Sequence, residues 1–505
     1  MYKKSIIRGA VILTAANLIT RIMGFFYRVY MSDAIGSEGM GLYQLVMPIY
    51  LLSWSVTSSG FSTAVSRITA ANTAKRRFAD TEKTIASAAA LCISVSLAVA
   101  ALMFFFADKA ALYILGDERT AISLKILSFA IPFMSVGSCV RGYFFGGQRQ
   151  SVPAASQVLE QSVRIISIIV LAPLLASKGL EYACAAAVTG VLLGEAFSCV
   201  FTLISYWFMK PDPSLGRKPD MSAFKCTVLV LSMAAPLAAT RISSSLLSAW
   251  ENILIPQKLR AFGETAEAAM SLYGNLTGMA LPLIQLPSAL LMAVATAIMP
   301  TVAESAALGD KRRISSAASR VLKFTVLIGI GTASLFAALH GETANAVYGR
   351  EDIGVLLLKL VPVCPLLYIN IIMNGILNGL GEHLFIFRNS VISSVINIAF
   401  IYFLMPVWGI NAYIAGLFSG LAFSSLSSVH RARQTADIKT DPVSLVLKPI
   451  VCAAASGLLA KYFIGFMDPS KLSYIISAIG MLAVYVLLLI ACGSLDKRDF
   501  KCLKC

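Results

Sequence analysis

Stretches of roughly 20 apolar residues, each long enough to cross a hydrocarbon core about 30 Å thick, recur along the whole chain with short polar breaks between them. A segment surrounded by lipid must satisfy its own backbone hydrogen bonds, so runs of this length fold as helices. About fourteen are expected, near residues 6-31, 42-66, 84-107, 121-146, 154-176, 181-208, 226-250, 271-300, 317-340, 353-378, 385-407, 410-429, 445-466 and 472-492. The fold class is therefore all-α, polytopic and membrane-embedded. Of the 505 residues 57% are hydrophobic and 13% charged, a balance that excludes a large soluble domain. The eighth span holds Pro282, Pro287 and Pro300, and a bend or broken helix is expected there.

The formal charge of +16 follows from topology. With the N-terminus inside, about 24 Lys and Arg fall on the cytoplasmic side against about 7 outside, which places both termini in the cytoplasm. The first outer loop, Ser32 to Gly41, carries Asp33 and Glu38 and no Lys or Arg. Without a soluble basic face, a nucleic-acid partner is not expected. The N-terminal apolar run is longer than a signal h-region and is interrupted by Arg21 and Arg28, so it reads as a retained first helix. Eight of the ten cysteines lie inside or beside the spans and read as small packing residues. Cys502 and Cys505 form a lone CxxC without histidines or a second pair, and no metal site is expected.

Sliding the chain on itself reveals an internal repeat. Thr20-Arg21-Ile22 matches Thr240-Arg241-Ile242, Met47-Pro48 matches Leu286-Pro287, and the basic loop Lys75-Arg76-Arg77 matches Lys311-Arg312-Arg313. Further on, one offset superposes Pro132 on Pro365, Gly142 on Gly375, Gly146 on Gly379 and Pro173 on Pro406. A repeat of six helices makes an even number of crossings, so both copies enter the membrane in the same sense. Two pseudo-symmetric six-helix lobes are expected, 1-210 and 226-430, joined by a cytoplasmic linker at 211-225. A cytoplasmic loop at 431-444, helices thirteen and fourteen at 445-492 and a cytoplasmic tail at 493-505 complete the chain. In transporters built this way the substrate lies between the lobes, and rocking gives alternating access.

Ionisable residues inside spans cost about 2.5 to 3.5 kcal/mol each at a helix centre unless they face water or a partner. Here the cations are Arg21, Arg28, Arg141, Arg164 and Arg241, and the acids Glu160, Glu195 and Glu251. Arg21, Arg28, Arg164 and Arg241 are the candidate cavity residues. Glu160, four residues before Arg164, is its candidate partner, and Glu251 is the second charge partner. The structural alternatives are snorkelling of Arg28, Arg141 and Glu251 at helix ends and a self-neutralised Glu160–Arg164 pair. Guanidinium binds phosphate through two oxygens, so such a cavity suits an anionic, pyrophosphate-bearing guest. A cation-coupled multidrug antiporter of this architecture should instead carry a carboxylate deep in the first helix, and there is none. Pro48, Gly60, Pro282 and Pro287 are the candidate bending positions, so Gly60→Leu is expected to impair cycling.

At Thr20 to Phe25 with Arg28, Ile35 to Gln44, Met47-Pro48, Gly142 to Phe144 with Gly147-Gln148, Pro236 to Arg241 and Glu251 to Pro256, the chain resembles the multidrug/oligosaccharidyl-lipid/polysaccharide exporter superfamily. Within it, the resemblance is to the stage V sporulation protein B branch, related to lipid II flippases and Wzx-type polysaccharide transporters. It covers nearly the whole chain. It implies outward flipping of an undecaprenyl-pyrophosphate-linked glycan, a spore-cortex peptidoglycan precursor, in the bacterial cytoplasmic membrane. Arg21 matches a cavity arginine of those flippases and Arg28 lies one position from a second; their arginine in helix two has no counterpart here. The expected partners are the polyprenyl-linked anionic glycolipid and the bilayer, with cell-wall synthesis enzymes as further candidates. No cofactor is expected, and a coupling ion is left open. An enzyme would need boundary acids or histidines, for which His340 and Glu342 are the best candidates, and is not the expected reading. A non-transporting scaffold for cell-wall enzymes is the remaining alternative; it would tolerate Arg21→Ala.

Overall fold

The computed structural model describes residues 2–210, 221–436, 443–466 and 471–495, and every regular element among them is helical. Most of the expected linker, part of the 431-444 loop, and Cys502 and Cys505 lie outside the described residues. The chain forms two compact units, Met1–Gln257 with Thr265–Gly274, and Lys258–Glu264 with Asn275–Cys505. The 40-residue helix beginning at Ala223 thus belongs for most of its length to the first unit, whereas the repeat reading assigns it to the second lobe.

The first unit opens with α1 (Tyr2–Thr57), α2 (Ser59–Ala74), α3 (Phe78–Phe105), the short α4 (Ala107–Lys109) and α5 (Ala121–Gly146). It continues with α6 (Ser151–Ala176), α7 (Leu180–Met209), α8 (Ala223–Phe262) as far as Gln257, and α9 (Ala266–Tyr273). The expected outer loop from Ser32 to Gly41 is helical on both sides of one residue, Gly36, whose φ of 68° and ψ of −177° turn the chain. Only glycine adopts that conformation without strain, so one residue does the work expected of ten. Next to the turn, Glu38 accepts from Arg119 Nη1 at 2.7 Å, and Arg119 also holds Asp117 at 2.8 Å.

The second expected span, 42-66, is also corrected: it is divided at Ser58 between α1 and α2. Pro48 stays inside α1, and the break lies ten residues later. There the Ser53, Ser55, Thr57 and Ser59 hydroxyls each bond the carbonyl four residues back, at 2.8 to 3.0 Å. Such back-bonding competes with the helical ladder and bends it. Gly60 follows, and a Cβ there would stand 2.3 Å from the Ala234 carbonyl oxygen. Gly60→Leu would push α2 off α8 by packing alone, so its failure would not by itself reveal a gate.

The second unit contains α10 (Leu281–Gln285), α11 (Ser288–Ala307), α12 (Lys311–Ala338), α13 (His340–Tyr348), α14 (Asp352–Leu360) and α15 (Val363–Gly379). Then follow α16 (His383–Ala399), α17 (Met405–Trp408), α18 (Ile410–Ala436), α19 (Lys448–Ile464) and α20 (Lys471–Ala491). The eighth span is broken: α9 passes through a π turn into α10, with Pro282 in its first turn, and Pro287 immediately precedes α11. Among the described residues eleven helices are long and apolar enough to cross a membrane, and α14 with α15, bent by 55°, makes a twelfth. These match spans three to fourteen, and spans one and two lie in α1 and α2. The protein is a multi-pass membrane protein.

The repeat is visible in each unit separately. A Cβ at Gly142 or Gly146 of α5 would meet the Ser62 or Ser66 carbonyl of α2 at 2.5 or 2.3 Å. At the same offset, one at Gly375 or Gly379 of α15 would meet the Ala295 or Met299 carbonyl of α11 at 2.9 or 2.7 Å. Helix ends repeat as well. Arg76 and Gly309, Gly116 and Gly349, and Gln148 and Gly381 all have positive φ. After two of these turns Arg77 N donates to Asn72 O and Asp310 N to Ser305 O, at 2.9 and 3.0 Å, each closing a helix C-terminus. The basic triplets share a loop but not a register: Lys75-Arg76-Arg77 form the turn itself, whereas Lys311-Arg312-Arg313 open α12. Seven described cysteines are buried, as small packing residues are; Cys492 is exposed.

Candidate functional site

In the first unit α7 offers glycines to α6. A Cβ at Gly194 would stand 2.9 Å from Glu160 O, and one at Gly190 3.1 Å from Arg164 O, so small residues let the backbones close up. On this seam Arg164 Nη2 donates to Glu160 Oε1 at 2.8 Å, with the two side chains only 17% and 19% exposed. Arg164 Nε is buried and has no hydrogen-bond partner, so the pair is joined through one nitrogen rather than as a two-point fork.

Glu195 follows Gly194 and is buried. Its Oε1 accepts from the buried Tyr50 hydroxyl at 2.9 Å, which ties α1 to α7. It lies in the fields of Glu160, Arg141 and Arg164, and Arg141 Nη1 itself donates to Ser198 Oγ at 3.2 Å. Tyr27, buried on the other arm of α1, reaches Ala187 O at 3.4 Å. Arg164, Glu160, Glu195 and Tyr50 thus meet where α1, α6 and α7 pack in one unit. The Arg164–Glu160 charges persist there because they are paired.

The remaining candidates lie elsewhere. Arg21 is exposed on α1 and Arg28 is half-buried there. Near them, a Cβ at Gly24 would stand 3.7 Å from Gln161 Nε2, so this arm of α1 runs beside α6 one residue from Glu160. Arg241 is exposed on α8, and its guanidinium carbon lies 5.6 Å from the Trp54 ring centroid. At that distance the ring attracts the guanidinium by a cation–π interaction, and the N–H donors of a guanidinium suit an anion. One turn on, Ser245 Oγ and Ser55 Oγ are 2.6 Å apart, which fixes α8 against α1 at this level. Glu251 is half-buried further along α8. His340 Nδ1 is 3.2 Å from Ala337 O in its own turn, the geometry of a local cap.

Sequence reasoning gave Tyr50 and Trp54 no role. Glu195 was visible as an intramembrane acid, but a tyrosine or tryptophan in an apolar run looks like packing until its neighbour is known.

Residues 6–306, more than half of the chain, match the family model described as polysaccharide biosynthesis protein. The chain belongs to that family. A second model, MatE, matches residues 261–403. Among curated relatives, stage V sporulation protein B of Bacillus subtilis (strain 168) is 27% identical over 516 residues, covering 99% of this chain and 98% of the relative. Lipid II flippase MurJ of the same organism is 24% identical, covering 95% and 94%. Among solved structures, lipid II flippase MurJ in an inward closed conformation superposes with a TM-score of 0.72 at 15% identity, over 95% of this chain and 98% of that one. An inward-facing multidrug resistance MATE transporter of the MOP superfamily gives 0.63 at 14%, over 85% and 100%. The family member therefore has the MOP-superfamily fold.

Proposed function

We propose that this family member is a flippase that moves an undecaprenyl-pyrophosphate-linked glycan from the inner to the outer leaflet of the bacterial cytoplasmic membrane by alternating access. Its cargo is a peptidoglycan precursor for the spore cortex. Both termini are cytoplasmic, and the chain acts as a transporter rather than an enzyme. The observation that carries the reading is the exposed Arg241 guanidinium held over Trp54, in a unit whose first helix also exposes Arg21. Two intramembrane guanidiniums that reach the protein surface suit a pyrophosphate, and the full-length similarity to a lipid II flippase supports that cargo. Arg21 and Arg241 hold the pyrophosphate, and Arg28 supplies additional field. Arg164, bound to Glu160, stiffens the seam beneath. An inside-negative potential favours outward movement of an anion by about 2.3 kcal/mol per uncompensated charge per 100 mV, so the potential can drive the step without a dedicated engine.

The test is exposure of undecaprenyl-linked headgroups in sealed proteoliposomes. Wild-type protein should expose them, and Arg21→Ala or Arg241→Ala should slow exposure by about tenfold or more, the worth of a lost charge-assisted hydrogen bond. Folded wild-type protein that leaves vesicles indistinguishable from empty ones would rule the reading out and favour the scaffold, and unimpaired arginine variants beside an active wild type would remove Arg21 and Arg241 from the cargo site.

A further inference from the structure

The second unit carries an open groove at the break between α14 and α15, outside the arginine site. The 55° bend between these helices opens a wedge against α18, with a cavity of about 350 Å³. Lys359, in the last turn of α14, and Asn411, in the first turn of α18, stand at its mouth, with Lys359 Nζ donating to Asn411 Oδ1 at 2.8 Å. The lining is otherwise apolar and includes Pro362, Ile414, Ala415 and Phe418. Asn411, Ile414, Ala415 and Phe418 follow one another on a single face of α18, so the floor runs about 10 Å from a polar mouth to an exposed phenylalanine.

We propose that this groove binds one phospholipid with a singly charged anionic headgroup. Asn411 stands in the first turn of the spanning helix α18, where a headgroup would meet it, and the floor runs from there along α18, as an acyl chain would. Lys359 meets a neutral amide rather than a carboxylate, so its charge is left for a ligand, and its other ammonium hydrogens and Asn411 Nδ2 are all donors. One ammonium matches one phosphodiester. A pyrophosphate carries more charge and would need more than one cation. The apolar floor fixes the chain, and the mouth selects the head.

The test is retention of lipid by the full-length protein, read by native mass spectrometry after exposure to equal phosphatidylglycerol and phosphatidylcholine; flipping is not the readout, so the outcome is independent of the proposed function. Wild-type protein should keep phosphatidylglycerol about fivefold over phosphatidylcholine, the scale of one surface lysine's attraction for an anionic lipid. Lys359→Gln, a change at an exposed residue, should bring the two to parity while a lipid is still retained. Ala415→Trp should fill the floor and remove the retained lipid of either kind. Parity in the wild type, an unchanged preference in Lys359→Gln, or wild-type retention in folded Ala415→Trp would each overturn the proposal. Displacement of phosphatidylglycerol by equimolar undecaprenyl phosphate would overturn it as well.

Discussion

Glu160→Gln should lower the stability of the protein by about 3 kcal/mol, because it leaves the Arg164 guanidinium buried with no bonded counter-ion. Glutamine has nearly the same shape, so the Gly194 approach, with a virtual Cβ 3.4 Å from Glu160 Cγ, is undisturbed and the cost is electrostatic. Arg164 has no slack to absorb the loss, since its Nε already lacks a partner. The Tyr50 hydroxyl occupies Glu195 Oε1, so that carboxylate cannot swing to Arg164 without giving up its own buried bond. The double variant Glu160→Gln/Arg164→Met removes both charges and should recover most of the loss, as replacing a whole buried pair usually does. Equilibrium unfolding in detergent micelles measures the three proteins. A single variant no less stable than the double would mean that water or lipid headgroups reach the pair and that it contributes little.

Much of this was legible because lipid imposes a simple rule: a span must be apolar and helical, so the polar exceptions stand out. Spans three to fourteen and the break around Pro282 and Pro287 could be read on that basis. The first two spans were harder because they carry the exceptions. In α1 the turn at Gly36 follows from one φ angle, and glycine in a sequence announces freedom without saying whether it is used. The break at Ser58 comes with four hydroxyls bonding their own helix, and a sequence does not tell such a hydroxyl from one that bonds only a neighbouring helix. At the candidate site the charged residues were visible one at a time. What was not visible is that Tyr50 and Trp54, indistinguishable from packing aromatics in the sequence, are the partners that orient Glu195 and Arg241.

The repeat makes a graded prediction about the glycines that the sequence alone could only align. Gly146→Ala should cost at least as much as Gly379→Ala, because the added Cβ would stand 2.3 Å from Ser66 O in one unit and 2.7 Å from Met299 O in the other. Both distances are well below contact, and the obstacle is a helix backbone rather than the end of a flexible side chain, so α5 must move off α2, or α15 off α11. Each substitution should cost about 1 to 3 kcal/mol as overpacking, and Gly146→Val and Gly379→Val should abolish the folded protein. Gly480 in α20 is the control, since nothing lies within 4 Å of its added Cβ. Gly480→Ala should be neutral or stabilising by up to about 1 kcal/mol through helix propensity. Thermal unfolding in detergent orders the set. If Gly146→Ala and Gly379→Ala were as harmless as Gly480→Ala, the close crossings would not hold the units together, and the matched glycines would be a coincidence of alignment rather than the mark of one duplicated packing solution.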